Sequence, residues 1–196
     1  HDLGLEFSCT PFYIDAVYEL QPYVDFYKLA SYELLWHDLA IACANTGLPL
    51  VLSTGMAIPE EIIDTLSSVK GLPTKNVTVL RCTSSYPTPP SEANLQSLET
   101  LDELLIQFKD HFDLAIGWSD HTVSPAVILR SVFTYNASFV EFHLDLEGDG
   151  EEFKAGHCWL PEQISPVIKM VRDGFLAEGN GEIAPVPSEL PDRLWR

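Results

Sequence analysis

The chain has 196 residues, with 29 acidic against 11 basic side chains and a formal charge of −18. Hydrophobic residues make up 46% and charged residues 20%, enough for one substantial core and too apolar for a disordered chain. So acidic a surface argues against a nucleic-acid partner, because phosphate neutralisation needs a basic face, and no run reaches the roughly 20 apolar residues of a membrane span.

Short apolar runs alternate with longer amphipathic stretches along the chain. The runs LEFSC (5–9), VDFYKLA (24–30), PLVLS (49–53), VTVLRC (77–82), LAIGWS (114–119) and SFVEFHL (138–144) have strand length and are rich in β-branched or aromatic residues. Between and after them lie helix candidates at 33–47, 59–71, 95–108, 124–135 and 160–177. The second shows the cues most fully: Pro59 in the first turn, acids next, an Ile62/Ile63/Leu66/Val69 face and Lys70-Gly71 to close it. Pro166 is expected to kink or restart the last helix.

Strands alternating with helices predict a parallel sheet with right-handed crossovers, either an open doubly wound sheet or a β/α barrel. Neither G-x-G-x-x-G nor G-x-x-x-x-G-K-[ST] occurs, which weakens a nucleotide-binding sheet. Polar residues instead mark the carboxyl end of nearly every strand, as barrel active sites do. The expectation is a TIM-type (β/α) barrel of which residues 1–178 supply six of the usual eight units. The Gly- and Pro-rich stretch 179–196 reads as a C-terminal extension leading toward a further domain. A six-strand arc has two open edges, expected here at LEFSC and SFVEFHL.

Cys9, Cys43, Cys82 and Cys158 show no close spacing and sit in or beside apolar segments. They read as reduced, small hydrophobes rather than a zinc cluster or disulfide framework, which fits a cytoplasmic protein with no signal peptide in view.

Two segments carry chemistry. In GWSDHTV (117–123), Ser119, Asp120 and His121 stand together just past an apolar strand. In VEFHLDL (140–146), strand alternation puts Glu141, His143 and Asp145 on one face and Val140, Phe142 and Leu144 on the other. If the apolar face packs under helices, the polar one faces the barrel interior, where buried polar groups need partners. His121 and His143 on neighbouring strand ends are candidate ligands for a divalent ion, with Mn²⁺ preferred over a closed structural zinc site. The other histidines, His1, His37 and His111, read as solvated. Lys28, inside the apolar YKLAS, calls for an anion. Ser31, Ser53, Ser84 and Ser119 recur at strand ends with Gly55, as a phosphate or carboxylate site would require. Arg81 is either a second cation for that site or a strand-end salt bridge.

The segments YKLAS, LSTGM, RCTSSYPTP, NLQSLETL, GWSDHT and VEFH resemble, in order and spacing, the N-acetylneuraminate (sialic acid) synthase family, which includes spore-coat-polysaccharide-type synthases. The resemblance runs from about Thr10 to His143. It implies a β/α barrel followed by a small antifreeze-like domain, a homodimer, and condensation of phosphoenolpyruvate with N-acetylmannosamine or a related amino sugar. A divalent ion, typically Mn²⁺ with Mg²⁺ or Co²⁺ as alternatives, would be held by His121 and His143. Thr10, Lys28, Ser31, Ser53, Ser84 and Ser119 match phosphoenolpyruvate positions, while Glu33 and Tyr86 match positions near the sugar. Glu141 and Asp120 are the candidate catalytic carboxylates. The chain departs from the pattern at Arg81, at Phe142 and in GDGEEFKAGHCWLP (148–161), where Glu151, Glu152 and His157 are candidate replacements for sugar contacts. The family's first two strands, with a carboxylate and a lysine, are not seen. The rival readings are a metal-dependent aldolase on the same barrel and a binding or structural fragment that lacks the catalytic carboxylate.

Overall fold

The structure, a computed structural model, describes residues 3–195; the terminal His1, Asp2 and Arg196 lie outside them. Six parallel strands lie side by side in chain order: β1 (Tyr27–Leu29), β2 (Leu50–Ser53), β3 (Asn76–Cys82), β4 (Asp113–Asp120), β5 (Phe139–Leu144) and β6 (Cys158–Trp159). The helices are α1 (Ile14–Leu20), α2 (His37–Asn45), α3 (Pro59–Val69), α4 (Ser97–Leu105), α5 (Pro125–Phe133), α6 (Glu151–Ala155) and α7 (Pro161–Ala177). Helix α3 begins as its sequence dictates: Pro59 needs no hydrogen-bond partner, and the Glu61 carboxylate accepts from Ile58 N at 2.9 Å.

Strand alternation divides the side chains between two environments. Tyr27, Leu29, Leu50, Leu52, Val77 and Val79 pack outward against Leu39, Cys43, Leu66 and Leu105 of the helices. Farther along the sheet, Trp118 packs with Leu98 and Val127, and Val140 and Phe142 pack against Ile128, Trp159 and Ile164. The opposite face carries Lys28, Ser53, Ser119, Glu141 and His143, which line a single cavity.

The sheet is strongly curled. In a flat sheet β1 and β5 would be four spacings apart, about 19 Å, with side chains roughly perpendicular to the plane. Yet Lys28 Nζ lies 3.2 Å from Glu141 Oε1, and the rings of Phe26 and Phe139 meet edge to face at 6.2 Å. The architecture is a parallel α/β half-barrel, as part of a TIM-type barrel would be.

Both expected edges differ. LEFSC contributes only an isolated bridge, Ser8 to Phe26; residues 3–7 are exposed, and a segment with no buried face gains little from a full ladder. SFVEFHL is not an edge at its carboxyl end, because β6 pairs His143 with Cys158 and Leu144 with Trp159. Two residues are too few to show periodicity, and α1 and α6 are too short to announce themselves. Helix α7 runs unbroken through Pro166. That proline is on the exposed side, where water can serve the carbonyl it leaves unpaired. Residues 175–195 are exposed throughout. Among the described residues, no helix is long and apolar enough to cross a membrane.

Gly117 lets β4 and β5 close up. A methyl group there would stand 2.5 Å from the Phe139 carbonyl oxygen and collide with Leu80. Gly117→Ala should therefore lower stability by about 1–3 kcal/mol, seen as a reduced urea midpoint; an unchanged midpoint would contradict this packing.

Candidate active site

The cavity at the carboxyl ends of the strands has a volume of about 230 Å³, and its wall includes Lys28, Ser31, Ser53, Tyr86, Ser119, His121, Glu141 and His143. They enter from β1, β2, β4 and β5 and from the loops after β1, β3 and β4. Parallel register therefore builds the site: Cys82 stands beside Ser119, and Ser119 beside Glu141.

The hydroxyl side of the cavity is organised around Gly55. Ser31 Oγ accepts from Gly55 N at 2.9 Å and lies 3.2 Å from Cys82 Sγ. A Cβ at position 55 would lie 2.7 Å from Ser31 Oγ and collide with Ser84 Oγ. The sequence assigned Gly55 to backbone approach toward a ligand; in the structure its missing side chain makes room for the two serines. Ser53 Oγ and Ser84 Oγ are buried without a hydrogen-bond partner. Because a buried hydroxyl left unpaired is costly, the wall lined by Ser53 is a place for an acceptor or donor brought by a ligand. Ser84 stands behind the wall rather than in it. Lys28 faces Glu141, so the one ammonium of this wall is held by a carboxylate at 3.2 Å.

The histidine side is equally ordered. His121 Nδ1 is 2.9 Å from Thr83 O. A carbonyl can only accept, so Nδ1 carries the proton and Nε2 keeps its lone pair. Burial holds this imidazole below its ordinary pKa, and nearby His143 adds to the depression. The rings of His121 and His143 are 5.2 Å apart. Two imidazoles on adjoining strands, one with its tautomer set by a backbone carbonyl, are a donor pair that could hold a divalent metal ion. Tyr86 covers the pair, its ring centroid 4.3 Å from that of His121 and 5.9 Å from that of His143.

Several sequence-derived candidates fall elsewhere. Asp120 is fully buried and does not line the cavity. Its Oδ1 accepts from Trp118 Nε1 at 3.1 Å and Thr122 Oγ1 at 2.7 Å, its Oδ2 from Val123 N at 3.1 Å and Trp159 Nε1 at 3.3 Å. A carboxylate with four donors has no free lone pair directed at a substrate; Asp120 positions the turn after β4 instead of acting as a catalytic group. Asp145 is likewise absorbed, accepting from the backbone of Glu147, Gly148 and Gly150. Thr10 is half-buried after the Ser8 bridge and is not part of the cavity wall. Glu33, in a 3₁₀ turn, has Oε2 buried without a partner but also lies outside the wall. Arg81 fits neither reading made for it: it faces α4, where Nε donates to Ser97 Oγ at 2.9 Å and Nη1 to the Cys82 carbonyl. His37, read as solvated, has a buried Nε2. Cys9, Cys43, Cys82 and Cys158 are free thiols.

Sequence reasoning missed the role of the segment after β5. The Glu152 carboxylate bonds His143 Nδ1 at 2.9 Å, and His157 and Cys158 are buried beside it. The register of β6 was the missing signal.

The curled parallel α/β sheet carries its serine-, lysine- and histidine-lined cavity at the carboxyl ends of the strands, where barrel folds place their active sites. The chain belongs to the NeuB family, matching it over residues 1–183. It is 32% identical over 202 residues to the N,N'-diacetyllegionaminic acid synthase of Legionella pneumophila, covering 98% of this chain and 53% of that protein. It is 30% identical over 195 residues to the pseudaminic acid synthase of Helicobacter pylori, covering 99% and 54%. Among solved structures, it superposes with a TM-score of 0.73 and 28% identity on the N-acetylneuraminic acid (sialic acid) synthetase of Leptospira borgpetersenii, solved with citrate, over 95% of this chain and 63% of that one. The chain spans about half the length of the curated relatives it matches.

Asp120→Ala would leave two indole N–H groups, a hydroxyl and a backbone N–H without their acceptor. The expected loss is about 3 kcal/mol or more, read from chemical denaturation. A loss below about 1 kcal/mol would contradict the anchoring role.

Proposed function

We propose that this chain carries the phosphoenolpyruvate- and metal-binding part of a nonulosonic acid synthase, which condenses phosphoenolpyruvate with N-acetylmannosamine or a related amino sugar and releases phosphate. The observation that supports this reading best is the convergence, in one cavity, of an ammonium, hydroxyls including the orphaned Ser53 Oγ, and two imidazoles. On this reading LEFSC (5–9) stands at the place of the third strand of a closed barrel and β1–β5 at the fourth to the eighth, and residues 179–196 form an extension. The complete enzyme is a cytoplasmic homodimer.

Lys28 and the hydroxyls of Ser31, Ser53 and Ser119 bind the phosphate and carboxylate of phosphoenolpyruvate, and the anion takes over the ammonium that Glu141 holds in its absence. His121 and His143 would hold the divalent ion, which when bound supplies Lewis-acid polarisation of the sugar aldehyde. Tyr86, tilted over His121, orients the sugar. The enol carbon forms the new C–C bond with the aldehyde carbon, water adds at the former enol carbon, and phosphate departs with the C–O bond electrons. Glu141, freed from Lys28, takes one proton of that water on a carboxylate oxygen and passes it to the former aldehyde oxygen, while the other leaves with the phosphate as the new C=O forms. The net charge of −18 opposes anion approach at long range, so affinity rests on these local groups.

Isothermal calorimetry with phosphoenolpyruvate tests the assignment. Lys28→Ala should weaken binding roughly ten- to hundredfold, whereas Lys70→Ala, at the exposed end of α3, should leave it unchanged. Equal effects of the two variants would overturn the reading.

A further inference from the structure

Beside the cavity, around Glu152, two imidazoles, a carboxylate and a thiol converge. Ligand atoms of His143, Glu152, His157 and Cys158 all lie within 4.8 Å of one another. Glu152 Oε2 is the focus: His143 Nδ1 is 2.9 Å from it, Cys158 Sγ 3.7 Å and His157 Nε2 4.0 Å. We infer that these four residues form a second divalent-metal site of thiophilic character, suited to Zn²⁺ and sharing only His143 with the His121–His143 pair.

The backbone makes this convergence a built feature. Parallel pairing of β5 with β6 sets Cys158 directly beside His143, so their side chains leave the sheet on the same face. Helix α6 ends at Gly156 with φ +96°, a left-handed conformation that favours glycine. The chain there reverses sharply enough to return His157 and Cys158 to the Glu152 side, and Gly156 N bonds back to Glu152 O at 3.2 Å. His157 and Cys158 are 5% and 4% exposed, whereas the Glu152 side chain is 63% exposed. The site thus has a buried floor of nitrogen and sulfur and one movable carboxylate at its mouth.

The donor chemistry selects the metal. Tetrahedral Zn²⁺ takes bonds of about 2.0–2.3 Å to nitrogen, oxygen and sulfur, so its ligands stand about 3.3–3.8 Å apart. The separations from Glu152 Oε2 bracket that range, and rotation of the exposed Glu152 closes the remainder. A set of two imidazoles, one carboxylate and one thiol disfavours Mg²⁺ and Mn²⁺ relative to Zn²⁺ or Co²⁺. On binding, the Cys158 thiol loses its proton to solvent as the metal–sulfur bond forms. A neutral imidazole offers one lone pair, so His143 serves either this site or the cavity pair at a given moment.

Titration of the metal-free chain with Co²⁺ alone reads the site without any substrate. The expected result is the intense visible absorption of four-coordinate Co²⁺ together with a near-ultraviolet thiolate charge-transfer band, both abolished by stoichiometric Zn²⁺. Glu152→Gln, a change at an exposed side chain, should weaken Co²⁺ binding roughly tenfold or more. Cys158→Ser should remove the charge-transfer band. His121→Ala should leave the spectrum intact, which separates this site from the cavity pair and from the function proposed above. Absence of the thiolate band from the wild-type protein would overturn the inference whether or not the Cys158 variant folds. A spectrum lost in His121→Ala but kept in Glu152→Gln would overturn it as well, by assigning the ion to the cavity.

Discussion

The contact between Lys28 and Glu141 is the constraint on which the site depends. It joins the first and fifth strands across a sheet that would hold them about 19 Å apart if flat, at 3.2 Å. Both groups are partly withdrawn from water, with side chains 18% and 29% exposed, so the attraction is stronger than that of a surface pair. The curl it spans also brings Phe26 onto Phe139 and concentrates residues from five strands into one 230 Å³ cavity. Without curvature the same residues would lie in a row and could not line one cavity.

Support for that geometry comes from groups that do no chemistry. Gly117 permits the close approach of β4 and β5, and Gly55 makes room for Ser31 and Ser84. Asp120 and Asp145, two carboxylates near the mouth, spend their lone pairs on indoles, amides and a hydroxyl. Asp145 is held below the usual carboxylate range by those backbone amides, so it remains a charged acceptor for the turn after β5. The site therefore combines saturated acids that shape loops with a carboxylate in the cavity wall, Glu141, paired to Lys28.

Much of this was legible in the residues. Runs from Val24 to Leu144 mark β1–β5, with β3 and β4 extending one residue beyond their runs, because β-branched and apolar residues bounded by turns leave little alternative, and the alternation of VEFHLDL placed Glu141 and His143 together on the inner face. Lys28, Ser31, Ser53, Tyr86, Ser119, His121 and His143 do meet in one cavity. Two kinds of feature were not legible. Hydrogen-bond saturation is a three-dimensional property, so nothing local distinguished the four-donor carboxylate of Asp120 from that of Glu141, which lines the cavity and faces Lys28. Nor could a two-residue strand show a period, so the pairing of Cys158 with His143 and the gathering of His157 and Glu152 beside them appeared only with the fold. Arg81 failed for a simpler reason: its position on the strand turns it outward to Ser97.

A double-mutant cycle on Lys28→Ala and Glu141→Ala, read as unfolding free energy of the full chain, tests the curl most directly. Direct contact across the half-barrel predicts a favourable coupling of about 0.5–3 kcal/mol, falling as salt is added. Strict additivity within about 0.3 kcal/mol at low salt would mean that the first and fifth strands do not meet across the cavity, and the account of the site built on that meeting would be wrong.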